Sequence, residues 1–298
     1  MDDNLIIGLF EKSVRIVIID KNLNVDFVSI RNLPFPIRNL FVGQQKNPEY
    51  VEIRNKIFSL LPKEHLSFQK VSLVLDSNFF FINTIPIEET NNIEEIKNNI
   101  LWDIANYYPY GTKDFVINYY KSKGPQTRLS NVQEYVIIAI QKHFIKSLTE
   151  LISDCGLNIT AFYTDHFSAE NFLCKYYQED FSNSVLIGCK PERIDISIFN
   201  KNSFWSYEFI LTDNSDISQP LLKILRTRFL TSEKEQGKMF FYGDSYKQIY
   251  KILNLNFPQC SMLLLNPFIH LKPADTVDPI LVQNEGYKFT SLFGAIPG

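Results

Sequence analysis

The stretch SVLIGCKPERIDISIFNKNSFWSYEFI, residues 184–210, decides the fold. Its runs Val185–Gly188, Asp195–Asn200 and Ser203–Ile210 are separated by short polar turns, which predicts three antiparallel strands in a meander. The same pattern occurs once before. LIIGLFEKSVRIVIIDKNLNVDFVSI, residues 5–30, reads as strands Leu5–Phe10, Val14–Asp20 and Val25–Ile30, turning at Glu11-Lys12 and Lys21-Asn22. Behind the first meander, periodicity predicts a helix over Glu49–Leu61, stopped by Pro62, then strands Lys70–Leu75 and Phe79–Ile85. A helix over Thr90–Tyr107 follows, with Ile93, Ile96, Ile100 and Ile104 as one apolar stripe. Thr90 is its expected N-cap, Glu94 and Glu95 suit the positive end of its dipole, and Pro109 prevents continuation. Next come strands Phe115–Tyr120 and Glu134–Ile140, and a helix carrying Phe144, Leu148, Leu151 and Ile152 that closes at Gly156. Strand Ile159–Thr164 and a helix over Ser168–Tyr177 complete the half. Behind the second meander stand a helix over Pro220–Leu230, strand Lys238–Tyr242, helix Tyr246–Leu253 and strand Cys260–Leu265. The architecture is duplicated although the residues do not align. The expected fold is α/β, with lobes over residues 1–181 and 182–298 and a small inserted subdomain at about 88–162.

Composition narrows the function. The 298 residues suffice for one large or two medium cores, and 45% hydrophobic against 21% charged content is that of a soluble globular protein. The net charge is −3, from 30 basic and 33 acidic residues spread along the chain, so no basic stripe offers a footprint for nucleic acid. Cys155, Cys174, Cys189 and Cys260 form no CxxC pair, which fits reduced, buried thiols in a cytosolic protein. Apolar runs such as Tyr135–Ile140 are too short to span a membrane, and Met1-Asp2-Asp3 lacks the basic start of a signal peptide. His65, His143, His166 and His270 stand in unrelated segments, without metal-ligand spacing. Asp165-His166 near Ser168 hints at a hydrolase, but no Gly-x-Ser-x-Gly elbow is present and the pair reads better as a helix start.

A duplicated lobe of this kind is similar to the actin, sugar-kinase and heat-shock-chaperone superfamily, whose core is ribonuclease H-like. Several segments, in order, resemble the PilM family of type IV pilus assembly proteins. Glu95–Tyr120, containing Asp103-Ile104-Ala105-Asn106-Tyr107-Tyr108-Pro109-Tyr110, resembles the family's helix and aromatic turn before a strand. Tyr135–Leu157 resembles its strand, helix and turn, ending here in Cys155-Gly156-Leu157. Asp195-Ile196-Ser197-Ile198-Phe199 resembles its second meander, Asn266-Pro267-Phe268 the turn after its last strand, and Phe289–Gly298 its terminal segment.

The resemblance implies an actin-like fold that binds ATP between the lobes through two hairpins and a Gly-rich turn. Glycines let backbone N–H groups reach the phosphates, and carboxylates hold Mg²⁺ or the attacking water. This chain departs from the pattern at each loop. In the first hairpin the family's Asp is Gly8 and its second Gly is Phe10, while Ser13, Val14 and Arg15 still match. In the second, Gly188 stands for the Asp, Lys190 for the Gly, and Arg193-Ile194 for the hydroxyl pair. The adenosine turn reads Tyr242-Gly243-Asp244-Ser245, with a ring where bare backbone is needed. Eleven glycines in the whole chain leave few for phosphate loops. The expectation is a pseudo-ATPase without cofactor or metal. Lys190 and Arg193 read as solvated turn residues, or else as an anion's attraction.

Trp102, Tyr107, Tyr108 and Pro109 form an aromatic helix end. It reads either as packing against the sheet or as the lining of a groove. The resemblance implies such a groove on the first lobe, accepting the cytoplasmic tail of a PilN-like inner-membrane protein. The expected role is a cytoplasmic scaffold of a type IV pilus or type II secretion-like machine, peripheral to the inner membrane through its partner and capable of self-association. The competing reading is a divergent ATPase or sugar-kinase relative using the inter-lobe cleft. A third is an FtsA-like or secretion-platform subunit that assembles through lobe contacts.

Overall fold

The computed structural model describes residues 4–38, 48–61, 70–109, 111–123, 131–178, 183–201, 203–212, 216–229 and 237–296. Strands β1 (Asn4–Phe10), β2 (Ser13–Ile19) and β3 (Val25–Asn32) open the chain and are followed by helix α1 (Pro48–Leu60). Then come β4 (Lys70–Leu75), β5 (Phe81–Glu88), α2 (Ile93–Tyr107), β6 (Phe115–Lys121) and β7 (Val132–Gln141). Helix α3 (Lys142–Ser153), β8 (Asn158–Thr164) and α4 (Asp165–Tyr176) end the first half. The second half runs β9 (Ser184–Cys189), β10 (Arg193–Asn200), β11 (Ser203–Leu211) and α5 (Ser218–Ile224), which continues as a π-helical turn over Leu225–Phe229. It closes with β12 (Lys238–Tyr242), α6 (Tyr246–Asn256), β13 (Ser261–Leu264), α7 (Pro279–Asn284) and α8 (Thr290–Gly294).

The two halves build the same sheet. The first has strand order β3-β2-β1-β4-β8 and the second β11-β10-β9-β12-β13. In each, the meander is antiparallel and the last two strands join it in parallel. The central strands are apolar on both faces because each face meets a core. Leu5, Ile7 and Leu9 pack with α1 and α3, whereas Ile6 and Phe10 turn the other way. Period-two alternation thus serves two cores rather than core and solvent. The second core is shared by the halves: Ile6, Val17 and Val74 meet Leu186, Phe199 and Phe240 through Phe172 and Leu173 of α4 and Leu292 and Phe293 of α8. A third sheet, β5-β7-β6, is antiparallel and carries α2 on one face through Ile96, Ile100 and Ile104.

Several expectations need correction. The third sheet occupies Phe81–Gln141 rather than 88–162, because β8 pairs with β4 in the first sheet. Strand β5 starts late because Ser77–Phe79 form a 3-10 turn, capped by the Asp76 side chain accepting from the Asn78 N–H. The N-cap of α2 is Asn92, not Thr90; its Oδ1 accepts from the N–H groups of Glu94 and Glu95. Thr90 instead hydrogen-bonds the Glu95 carboxylate at 2.8 Å. Ile93 is 60% exposed, since a first-turn side chain tilts back past the end of the sheet. Helix α4 begins at Asp165, three residues before the expected start, and α8, within the span expected for the second lobe, packs on α4, β1 and β2. The expected lobe boundary at residues 181 and 182 lies outside the described residues, as do Pro62, Tyr110, Leu230 and Gly298.

Helices α4 and α8 meet where Gly294 lies against the backbone of Ser168. A Cβ added at Gly294 would stand 1.7 Å from the Ser168 carbonyl oxygen, while one added at Gly111 meets nothing within 4 Å. Gly294→Ala is expected to cost about 3 kcal/mol, as overpacking in a rigid contact does. Gly111→Ala should stay within about 0.5 kcal/mol of wild type. Urea midpoints of the two variants measure the difference, and equal midpoints would contradict this packing.

Candidate functional site

Parallel strands β4 and β8 end side by side, and the residue after each is an aspartate: Asp76 and Asp165. In α/β sheets the carboxyl ends of parallel strands are where sites form. The β9–β10 hairpin of the other half brings Lys190, Arg193 and Asp195 to the same place. The Lys190 ammonium lies 2.5 Å from Asp195, 3.1 Å from both oxygens of Asp165 and 3.6 Å from Asp76. Lys190 is only 6% exposed, so it is neither a solvated turn residue nor a free anion attractor. Arg193 is also buried; it donates from Nε to Asp195 at 2.7 Å and from a terminal nitrogen to the Tyr207 hydroxyl at 2.7 Å. Asp165 further accepts from the Ser77 N–H at 2.7 Å and the Ser77 hydroxyl at 2.5 Å.

The charges hold one another in place. Burial alone would discharge Lys190, but Asp165, Asp195 and Asp76 outweigh it and raise its pKa. Burial likewise works against the Asp195 carboxylate, and Lys190 and Arg193 overcome it, holding that pKa well below the usual carboxylate range. At Asp76 burial prevails over Lys190 and the pKa is raised. Among the described residues, no group of three or more His, Cys, Asp or Glu is placed to hold a metal ion. The aspartates are spaced around an ammonium.

The loop residues singled out in sequence converge on this cleft. Phe10, Ser13, Lys190, Tyr242 and Gly243 line a cavity of about 320 Å³ with Asp76, Asp165 and residues of the first hairpin. That volume is at the lower limit of small-ligand pockets, about 300–1,000 Å³. Gly8 and Gly188 do not present bare backbone to it. A Cβ on Gly8 would lie 2.6 Å from the Phe10 ring, and one on Gly188 2.5 Å from the Tyr242 hydroxyl. The Gly243 turn has φ +95°, and a Cβ there would lie 2.5 Å from the Cys189 carbonyl, so only glycine fits. The turn folds back on β9, with Ser245 N–H donating to that same carbonyl at 3.0 Å. Across the cleft, Arg15 donates to Asp244 at 2.7 Å and to the Lys288 carbonyl, and its guanidinium lies 4.0 Å from the Phe10 ring centre. Asp76 was not named as a site residue in sequence, and Arg15, Asp195 and Asp244 entered only as parts of motifs, with no role assigned. Asp76 carried a signal all the same, an acidic residue directly after an apolar strand.

Asp165, His166 and Ser168 form no hydrolytic triad. Ser168 donates to the Ser291 carbonyl, while His166 is fully buried between Tyr242 at 3.0 Å and Ser197 at 2.8 Å. The Ser197 hydroxyl donates to Glu170, so it accepts from His166 Nε2–H, and Nδ1 accepts the Tyr242 proton. Burial lowers the His166 pKa to about 4 and raises that of Glu170 to about 8. Far from the cleft, Trp102 and Tyr107 are 70% and 60% exposed on α2, and Pro109 is exposed. Tyr108, at 38%, packs edge-on against Phe81 and, at 5.0 Å, against Phe115. The aromatic end is a surface feature anchored on one side.

No family model and no curated protein sequence matches the chain. Solved structures do. A chain of a PilM-PilN type IV pilus biogenesis complex superposes with TM-score 0.71 at 12% identity, over 98% of this chain and 97% of that one. A Bacteroides thetaiotaomicron protein of actin-like ATPase fold and unknown function gives TM-score 0.53 at 15% identity, over 89% and 91%. The cytoplasmic domain of EpsL, an inner-membrane component of the Vibrio cholerae type II secretion system, gives 0.51 at 10%, over 99% and 94%. The chain therefore has the actin-like fold, a duplicated two-lobed α/β architecture. Within that fold its likeness to the pilus biogenesis complex extends over almost the full length of both chains. No helix among the described residues is long and apolar enough to cross a membrane.

The carboxyl of Glu170 has a pKa of about 8 in the fold against 4.5 ordinarily, so between those values the native state holds a proton that the unfolded chain has lost. Stability from this group is full below pH 4.5 and falls as pH rises, by about 1.4 kcal/mol per unit. His166 acts oppositely, losing stability as pH drops from 6.5 towards 4, so above pH 6.5 its contribution is constant and no longer offsets the Glu170 slope. Glu170→Gln should gain on wild type steadily from pH 6.5 to 8 in urea midpoints. A pH-independent difference would contradict the buried, protonated carboxyl.

Proposed function

We propose that this chain is a non-catalytic scaffold of a type IV pilus or type II secretion-like assembly, binding the cytoplasmic tail of a PilN-like inner-membrane protein. The likeness to the PilM-PilN complex supports the setting. The observation that carries the non-catalytic reading is the Lys190 ammonium among Asp76, Asp165 and Asp195. Phosphoryl transfer needs a metal ion beside the phosphates and open glycine backbone around them. Here an internal cation occupies the carboxylates, and the Phe10 and Tyr242 rings cover Gly8 and Gly188. The chain would act in the cytoplasm, reaching the membrane only through its partner, with self-association through its lobes and no role for nucleic acid.

The tail's site would be the aromatic end of α2. Trp102 is a large exposed apolar side chain beside Tyr107, Tyr108 and Pro109, and such residues make efficient anchors because they lose little entropy on binding. The cavity of about 320 Å³ between the halves is what favours the second reading, a divergent ATP-binding enzyme.

Two measurements separate these readings. A ligand at a hundredfold excess over its Kd adds about 2.7 kcal/mol of stability, or several degrees of melting temperature. Millimolar Mg-ATP should leave the melting temperature unchanged; a rise of several degrees would favour the enzyme. Trp102→Ala and Tyr108→Ala should each fold and lose at least about tenfold in affinity for the partner's tail, about 1.4 kcal/mol. Unchanged affinity in both folded variants would move the tail's site elsewhere.

A further inference from the structure

We infer that the cleft is a primary-ammonium site supplied from within the chain: Lys190 is the cation that joins the two halves. The groups come from both sides. Asp76 and Asp165 follow strands of the first sheet, while Asp195 and Lys190 belong to the hairpin of the second. Each carboxylate is nine-tenths buried or more, and Asp195 also holds Arg193.

The spacing identifies the kind of cation. Both Asp165 oxygens accept hydrogen bonds from Nζ at 3.1 Å, and Asp195 and Asp76 face it as ion-pair partners at 2.5 and 3.6 Å, which is the spacing of carboxylates around an ammonium. A directly bound Mg²⁺ needs about 2.0–2.1 Å and near-octahedral geometry, and Ca²⁺ about 2.3–2.6 Å with six or more oxygens. The arrangement around Lys190 meets neither requirement, in keeping with the absence of a metal-holding group among the described residues.

Junction of the halves therefore needs no outside ligand. Other contacts between the halves include Arg15 with Asp244, Arg38 with Glu192, and His166 with Ser197 and Tyr242. This inference rests on the cleft alone and is independent of what binds at α2.

Chemical rescue tests it. Lys190→Ala deletes a propylammonium arm and leaves the aspartates facing an unfilled space. Its melting temperature should fall by about 10 °C, the scale on which a broken buried ion pair acts. Propylammonium chloride should then raise it by several degrees, increasing with concentration as expected of a bound ligand. The same salt should leave wild type unaffected. Tetramethylammonium chloride, equal in charge but without N–H donors, should not rescue the variant. An unchanged melting temperature in the variant, no response to propylammonium, or an equal response to both salts would each overturn the inference. If the variant does not fold alone, its refolding yield in the two salts is the readout. Recovery in propylammonium only supports the inference, and no recovery or equal recovery overturns it.

Discussion

One ammonium shared by three buried carboxylates governs how this molecule is put together. Removing charges from water is expensive, and a buried pair with its partners in place repays that cost only when geometry is good. Lys190 lies 2.5 Å from Asp195, and Asp195 is in turn held by Arg193 and the Tyr207 hydroxyl. Asp165 is fixed from the other side by Ser77. The gain in net stability from such a cluster is modest. What it does is make alternative placements of the two halves costly, since any of them would leave a charge buried and alone.

The duplicated topology explains how the charges come together. In both sheets the parallel strands end at the cleft: β4 and β8 deliver Asp76 and Asp165, and β12 delivers Tyr242. The antiparallel hairpins β1–β2 and β9–β10 close over the same space, one bringing Phe10 and Ser13, the other Lys190. Across that space the two halves bring their own side chains into contact. The rings of Phe10 and Tyr242 lie over the glycines that would otherwise be exposed.

Much of the fold was legible because it is written in local periodicity. The strands of both meanders fall within one or two residues of expectation, and Gly156 takes the left-handed conformation (φ +78°) expected after α3. What periodicity could not show depends on residues far away in sequence. Lys190-Pro191-Glu192 looks like any polar turn, and only the arrival of Asp76 and Asp165, more than a hundred and about twenty-five positions back, buries its lysine. Thr90 and Asn92 are both reasonable caps, and the choice followed from where α2 meets its sheet. Trp102 could be placed off the apolar stripe from helical spacing, and the structure leaves it exposed. Whether an exposed ring is bound by anything is not encoded in that spacing.

The position of α8 bears on the order in which the chain can fold. Ile6, Phe10 and Val17, from the first meander, bury one face against Phe289, Leu292 and Phe293, more than 270 positions further along the chain. Arg15 reaches the backbone of Lys288 across 273 positions. Pairings so distant in sequence form late, after the entropy of closing a long loop has been met. During synthesis the first sheet can complete its outer core with α1 and α3, while its inner apolar face, met in part by α4, stays incomplete until α8 leaves the ribosome. For that interval the nascent protein presents a sticky surface of the kind that chaperones cover.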